Sequence, residues 1–299
     1  MVKPFRDERR GARRSCDPAE LRGAQEIIDR VLAEDLASGD VTARVAVPAE
    51  ATARARLVTK SSLVIAGLEV AAAVFLTVDA SIGIELLVAD GECIPEGVIV
   101  ARVWGSARSL LAAERTALNL LQRMSGVATL TRSYVDAVGG RCRITDTRKT
   151  MPGLRVLDRY AVRCGGGHNH RNDLGAGVLI KENHIRAAGG IRSAIKAAKR
   201  DAPHTLRIEC EVRDLDELRQ ALTAGVDIVM LDNMDDSQVA EAVALTDGRA
   251  LVEVSGGISR ERVGALSTLG IDLISVGKLT HSASAADISL LFEPPAGWH

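Results

Sequence analysis

Apolar positions recur at helical spacing over residues 18–34, where Leu21, Ala24, Ile27, Ile28, Val31 and Leu32 share one face. A polar stretch follows, Glu34-Asp35-Leu36-Ala37-Ser38-Gly39-Asp40-Val41-Thr42, and reads as a turn. Residues 53–59, 63–66, 84–88 and 98–103 are short β-rich runs bounded by Gly or Pro, with turn chemistry at Asp90-Gly91 and Pro95-Glu96-Gly97. The first third of the chain therefore predicts a small α+β domain. Residues 109–124 then carry an unbroken helical pattern, and Gly126 fits its C-terminal end. From about residue 141 strand and helix patterns alternate. The strands fall at 143–147, 177–181, 206–212, 226–231, 250–255 and 271–276, and helical patterns at 191–200, 215–223, 237–246 and 260–269 lie between them.

Polar residues sit where these strands end. Lys181, Glu211, Asp232, Ser255 and Gly277 are spaced by 30, 21, 23 and 22 residues, about the length of a strand, a tight loop and a three-turn helix. Each βα unit thus delivers one polar group to the same face. In a parallel barrel that face carries the active site.

Composition narrows the classes. The chain has 299 residues with 38 Lys+Arg against 39 Asp+Glu, a net charge of −1, and 2% aromatics. Near-neutrality and few stacking rings argue against a general nucleic-acid binder. The apolar runs near residues 63–68 and 70–78 are interrupted by Glu69 and Asp79, so none reaches the roughly 18–20 residues of a membrane span. The five cysteines are odd in number with no CxxC spacing, which reads as a reduced, cytoplasmic protein. Residues 1–17 carry a basic stretch with no apolar segment after it, which reads as a frayed tail and not a secretory signal.

The near-balance of charge hides two opposed segments. Residues 141–186 hold ten Lys+Arg and four Asp+Glu, whereas residues 207–241 hold three Lys+Arg and ten Asp+Glu. In the basic segment, Arg148, Arg163 and Arg171 offer planar forks for carboxylate or phosphate, and Lys149 and Lys181 offer point charges. Several such groups above a barrel imply a small polyanionic substrate. In the acidic segment Glu209 and Glu211 point to the same side of their strand. Glu211 and Asp232, at strand ends, suit sugar hydroxyls or Mg²⁺. Ser255-Gly256-Gly257 and Gly277 follow the last two strands, where glycine lets backbone N–H groups approach a phosphate. Gly277-Lys278 is followed by Leu279, so it is no P-loop, and Cys164, His168 and His170 lack a fourth ligand for zinc.

An ordered set of motifs resembles the quinolinate phosphoribosyltransferases, the carboxylating nicotinate-nucleotide pyrophosphorylases. They are Glu34-Asp35-Leu36 with Gly39-Asp40-Val41-Thr42, Glu114-Arg115-Thr116-Ala117-Leu118-Asn119, Asp146-Thr147-Arg148-Lys149-Thr150, Gly165-Gly166-Gly167-His168-Asn169-His170-Arg171, Leu179-Ile180-Lys181-Glu182-Asn183-His184, Ile208-Glu209-Cys210-Glu211-Val212, Met230-Leu231-Asp232-Asn233 and Val254-Ser255-Gly256-Gly257, closing with Ser275-Val276-Gly277 and Leu279-Thr280-His281. The resemblance covers roughly residues 20–292. It implies an N-terminal α+β sandwich domain over residues 18–116, with residues 283–299 packing on it, and an open seven-stranded α/β barrel over residues 117–282, the type II phosphoribosyltransferase fold.

The same resemblance implies transfer of phosphoribosyl from phosphoribosyl pyrophosphate to quinolinate with decarboxylation, giving nicotinate mononucleotide, pyrophosphate and CO₂ in NAD biosynthesis, with Mg²⁺. It implies a homodimer in which Arg115 reaches the neighbouring subunit's site. Residue by residue, Arg115, Thr147, Arg148, His170, Arg171 and Lys181 match quinolinate-binding positions. Lys149, Glu211, Asp232, Ser255, Gly256, Gly257 and Gly277 match the phosphoribosyl and phosphate site. Lys149, Lys181, Glu211 and Asp232 match the catalytic positions, and Glu211 and Asp232 the Mg²⁺ site. Three places depart from the family pattern: Cys210 replaces a valine and should point into packing, residues 172–177 lack the usual acid at Ala176, and Thr42-Ala43 replaces Thr-Thr. A Schiff-base aldolase using Lys181, a relative acting on another base, and a non-catalytic binder are the competing readings.

Overall fold

The computed structural model describes residues 16–294; the basic tail expected over residues 1–17 therefore falls almost wholly outside them. Two compact units are present, and both are non-contiguous in sequence. Within the described residues, one holds residues up to Arg132 together with Thr150–Gly166 and the segment from Leu279, and the other holds Ser133–Lys149 and Gly167–Lys278.

The first unit opens with α1 (Pro18–Asp35) and α2 (Val41–Ala46), then β1 (Thr52–Thr59), β2 (Leu63–Val64), α3 (Leu68–Val78), β3 (Gly83–Leu86), β4 (Cys93–Ile94) and β5 (Ile99–Ser106). Asp40 caps α2 by accepting from the Ala43 N–H at 2.8 Å. Helix α3 escapes the periodicity because its residues are apolar nearly all round, so no face stands out. Its N-terminus is capped from a distance. Asp90, which reads in sequence as a turn residue, is buried and accepts from the Gly67 and Leu68 N–H groups at 2.7 and 3.2 Å and from the Tyr160 hydroxyl at 2.8 Å.

Helix α4 (Ala107–Val138) is longer than the sequence predicts. Gly126 does not end it. A Cβ on Gly126 would lie 1.9 Å from the Ser284 carbonyl oxygen, so the glycine permits close approach of another backbone. The buried series continues through Val127, Ala128, Thr131, Tyr134 and Val138. The helix stops at Gly139 and Gly140, which adopt φ of +59° and +80°.

The second unit is built on a six-stranded parallel sheet. In chain order its elements are β6 (Arg143–Thr145), then, after α5 (Arg155–Cys164) of the first unit, β7 (Val178–Ile180), α6 (Glu182–Ala187), α7 (Ile191–Asp201), β8 (Ile208–Val212), α8 (Leu215–Ala224), β9 (Ile228–Asp232), α9 (Asp236–Thr246), β10 (Leu251–Ser255), α10 (Arg260–Leu266) and β11 (Leu273–Ser275); α11 (Lys278–His281) begins at its last residue and continues into the first unit. The strand order is β6-β11-β10-β9-β8-β7 and every pairing is parallel. Helical crossovers of this kind produce an α/β architecture. Where a seventh strand is expected, one parallel bridge joins His168 to Thr145. The preceding run Gly165-Gly166-Gly167 supplies no side chains for a longer ladder to pack. Among the described residues no ladder joins β7 to this segment, so the sheet is open.

The last strand, β12 (Ile288–Phe292), returns to the first unit and pairs antiparallel with β1, completing the sheet β12-β1-β5-β3.

Candidate active site

Because all six strands run the same way, their C-terminal ends share one edge. Asp146 follows β6 and Lys181 follows β7; Glu211 is next to last in β8; Asp232 and Ser255 end β9 and β10; Gly277 lies just beyond β11. The sheet register sets Ser255 level with Asp232. Lys181 forms an ion pair with Glu211, the Lys181 side chain being half exposed and that of Glu211 largely buried. Burial and the charge of Glu211 raise the Asp232 carboxyl above its ordinary value, against the opposing pull of Asn233, Lys181 and Lys149. These two acids and two lysines form one electrostatic group.

Asn233 joins this group to the next loop. It adopts φ of 57°, rare for a non-glycine residue, and donates from Nδ2 to Asp232 Oδ2 at 2.9 Å and from its backbone N–H to the Ser255 carbonyl at 3.0 Å. Gly256 has φ of +89°, and a Cβ there would lie 2.2 Å from Asn233 Oδ1. Gly257 follows at φ of +61°. Both glycines are required by the backbone path.

On the β6 side, the buried Asp146 carboxylate accepts from Asn169 Nδ2 at 2.6 Å and from the His170 N–H at 2.7 Å. It thereby ties the 169–171 segment to the segment carrying Thr147, Arg148 and Lys149. The Arg171 guanidinium donates from Nη1 to the Gly177 carbonyl at 3.0 Å. Burial, then the neighbouring Arg148 guanidinium, lowers the basicity of Arg171. Two guanidiniums within reach of each other's charge create a local demand for anionic charge. The loop of residues 172–177, which lacks the family's acid at Ala176, folds on Asp173, which accepts from the Gly175 N–H at 2.8 Å.

Below this layer the second unit encloses a polar cluster that sequence reading did not assemble. His170 Nε2 lies 3.2 Å from Glu209 Oε2 and 3.6 Å from Glu253 Oε1. Glu253 also accepts from Ser275 Oγ, which lies 3.2 Å from Thr145 Oγ1. Burial, then the adjacent Glu209 carboxylate, pushes Glu253 up to about 7, against the influence of His170 and Ser275. For His170 burial acts against a charge, but its bond to Glu209 and the charges of Glu253, Glu209 and Asp146 raise its basicity overall. The cluster as a whole therefore retains a proton. Its three ligand atoms fall within 4.8 Å of one another, a spacing that a divalent cation also accepts. Glu253 was absent from the sequence-derived candidates. Its signal was available: a carboxylate at an otherwise apolar strand position, in Leu251-Val252-Glu253-Val254-Ser255. Cys210 is buried as expected, and burial pushes its thiol up to about 12. Arg115 lies in the first unit, exposed on α4.

Comparison with known proteins places these residues in a family. The quinolinate phosphoribosyl transferase N-terminal domain matches residues 40–125 and the C-terminal domain residues 127–291. The nicotinate-nucleotide pyrophosphorylase [carboxylating] of Mycobacterium leprae is 43% identical over 278 residues, covering 91% of this chain and 98% of its own. A probable enzyme of the same name from Bacillus subtilis is 40% identical over 267 residues, 89% of this chain and 92% of its own. Among solved structures, the nicotinate-nucleotide pyrophosphorylase of Francisella tularensis superposes with a TM-score of 0.86 at 41% identity, covering 91% of this chain and 96% of that one. NadC from Streptococcus pyogenes gives 0.88 at 39% identity, over 94% and 100%. With both domains matched across most of its length, the chain belongs to the quinolinate phosphoribosyltransferase family.

Proposed function

We propose that this chain transfers phosphoribosyl from phosphoribosyl pyrophosphate to quinolinate and releases pyrophosphate and CO₂, forming nicotinate mononucleotide for NAD biosynthesis. The observation that carries this reading is the grouping at one edge of the parallel sheet: adjacent Arg148 and Arg171, the Lys181–Glu211 pair, and Asp232 tied through Asn233 to the Ser255-Gly256-Gly257 loop.

A pyridine dicarboxylate needs two cationic forks, and Arg148 and Arg171 supply them, with Thr147, His170 and Lys181 beside them and Arg115 arriving from the second subunit of a homodimer. The 5-phosphate fits the backbone of Ser255, Gly256, Gly257 and Gly277. Glu211 and Asp232 accept hydrogen bonds from the ribose hydroxyls, and their charge stabilises the cationic ribosyl centre as its bond to pyrophosphate oxygen breaks. Lys149 and Lys181 neutralise the departing pyrophosphate. The quinolinate nitrogen forms the new bond to the ribosyl carbon and becomes cationic. The bond to the adjacent carboxylate then breaks, leaving an electron pair that the pyridinium stabilises until a proton replaces CO₂. Positioning and charge suffice for both steps.

The Glu211 and Asp232 carboxylates fit Mg²⁺: they are hard oxygen donors, and burial, then the charge of Glu211, raises Asp232, a cost that a cation offsets. Bound there, Mg²⁺ would neutralise pyrophosphate charge. A cytoplasmic enzyme is consistent with cysteines that form no disulfide among the described residues. No helix among the described residues is long and apolar enough to cross a membrane. The Schiff-base reading is disfavoured because Lys181 is half exposed and ion-paired, whereas a nucleophilic lysine is desolvated.

The test is an assay with phosphoribosyl pyrophosphate, Mg²⁺ and either quinolinate or nicotinate. Nicotinate mononucleotide and stoichiometric CO₂ from quinolinate are expected; product from nicotinate alone would overturn the assignment.

A further inference from the structure

Glu209, Glu253 and Ser275 have no part in the chemistry above, yet they converge on a residue that does. Glu209 is two residues before Glu211 in β8, about 6–7 Å deeper along the strand. Glu209 and Glu253 are buried to 5% and 2% exposure, where a carboxylate is costly without a function or a partner. Glu209 Oε1 has no hydrogen-bond partner among the described residues. The chain meets this cost from four strands at once: Ser275 of β11 donates to Glu253 of β10, Thr145 of β6 backs Ser275, and Glu209 of β8 faces the same ring.

That ring has a second attachment. His170 Nδ1 accepts the backbone N–H of Arg171 at 2.7 Å. A nitrogen that accepts carries no hydrogen, so the ring hydrogen lies on Nε2 and points at the two acids. His170 therefore has one nitrogen anchored in the sheet interior and the other on the main chain of Arg171. The Arg171 segment is fixed further by the His170 N–H to Asp146 and by Arg171 Nη1 to the Gly177 carbonyl.

We propose that Glu209 and Glu253 are positioning residues: the buried acid pair, anchored by Ser275, orients the His170 ring, and His170 Nδ1 in turn fixes the Arg171 main chain so that its guanidinium meets a substrate carboxylate. The proposal rests on the reading of Arg171 as a quinolinate carboxylate clamp. It assigns to the interior of the sheet a share in substrate selection, because only the carboxylate-binding half of the site depends on the relay. The phosphoribosyl half, built on Glu211, Asp232 and the Ser255–Gly257 loop, has its own supports.

The test is a split between the two substrates. Glu209→Leu keeps the bulk and removes the acceptor; it should raise the KM for quinolinate by roughly tenfold or more while the KM for phosphoribosyl pyrophosphate stays within about twofold. Glu209→Gln retains an acceptor and should restore the quinolinate KM to within about threefold of the parent. Amide exchange of the peptide spanning residues 169–173 should quicken in Glu209→Leu and recover in Glu209→Gln. If Glu209→Leu does not fold, Ser275→Ala deletes only the anchoring hydroxyl and should raise the quinolinate KM in the same selective way. Unchanged quinolinate KM in the folded variants, or equal loss for both substrates, would overturn the proposal. Arg171→Ala separates the two levels. If it leaves quinolinate binding intact, the clamp reading fails; if it weakens binding while Glu209→Leu does not, only the relay fails.

Discussion

At the scale of single residues, the site depends on groups whose charges are deliberately crowded. Burial and then the charge of Arg148 lower the basicity of Arg171, and a bound dianion offsets both. Replacing either arginine with Ala should cost about 2–3 kcal/mol of transition-state stabilisation, roughly 30- to 150-fold in kcat/KM for quinolinate, measured against an unchanged melting temperature. Glu253 makes a prediction about pH. Its native carboxyl, raised by burial and then by Glu209 to about 7 from an ordinary 4.5, keeps a proton that the unfolded chain has already released. The native state binds more protons across that window, so this group lowers stability as pH rises from about 4.5 to 7 and keeps it lowered above. Glu253→Gln, which mimics the protonated acid, should therefore flatten the fall in melting temperature between pH 5 and pH 8. A fall as steep as the parent's would count against this assignment. Gly256→Ala meets both a left-handed φ of +89° and Asn233 Oδ1 at 2.2 Å. It should weaken binding of phosphoribosyl pyrophosphate at least tenfold while sparing quinolinate.

At the scale of elements, what was legible followed periodicity. The alternating region from β6 to β11 declared its strands and most of its helices, because parallel strands are short apolar runs and their covering helices are amphipathic. Helix α3 did not, since an all-apolar helix has no face to detect and its cap, Asp90, lies 22 residues beyond Leu68. Asp90→Ala should lower stability by about 2–3 kcal/mol, because it strands two backbone N–H groups and the Tyr160 hydroxyl; chemical denaturation reads this directly. Helix α4 overran its predicted end because glycine has two uses that one sequence does not distinguish. Gly139 and Gly140 stop the helix by conformation, whereas Gly126 admits the Ser284 carbonyl. Gly126→Ala is accordingly expected to destabilise, although alanine is the better helix former.

At the scale of the whole molecule, the proposed shared site makes subunit mixing informative. Arg115→Ala and Arg148→Ala enzymes, each strongly impaired alone, should regain about a quarter of the parental activity when unfolded and refolded together. Random pairing makes half the dimers mixed, with one complete site in each. No recovery would remove Arg115 from the neighbouring site. The sequence by itself determined the α/β class, the direction of the parallel strands and the identity of the residues at their ends, because those follow from local periodicity and from a strand-to-strand spacing that the chain fixes. It also determined the charge reversal between residues 141–186 and 207–241. Only the tertiary structure decided which of those charges meet. Lys181 selects Glu211, Asn233 joins Asp232 to the loop after β10, and His170 rests on two acids from strands separated from it by 39 and 83 residues. Such pairings depend on strand order and register, and on the low-dielectric interior that makes an isolated carboxylate costly and a shared proton favourable. A linear pattern holds none of that information.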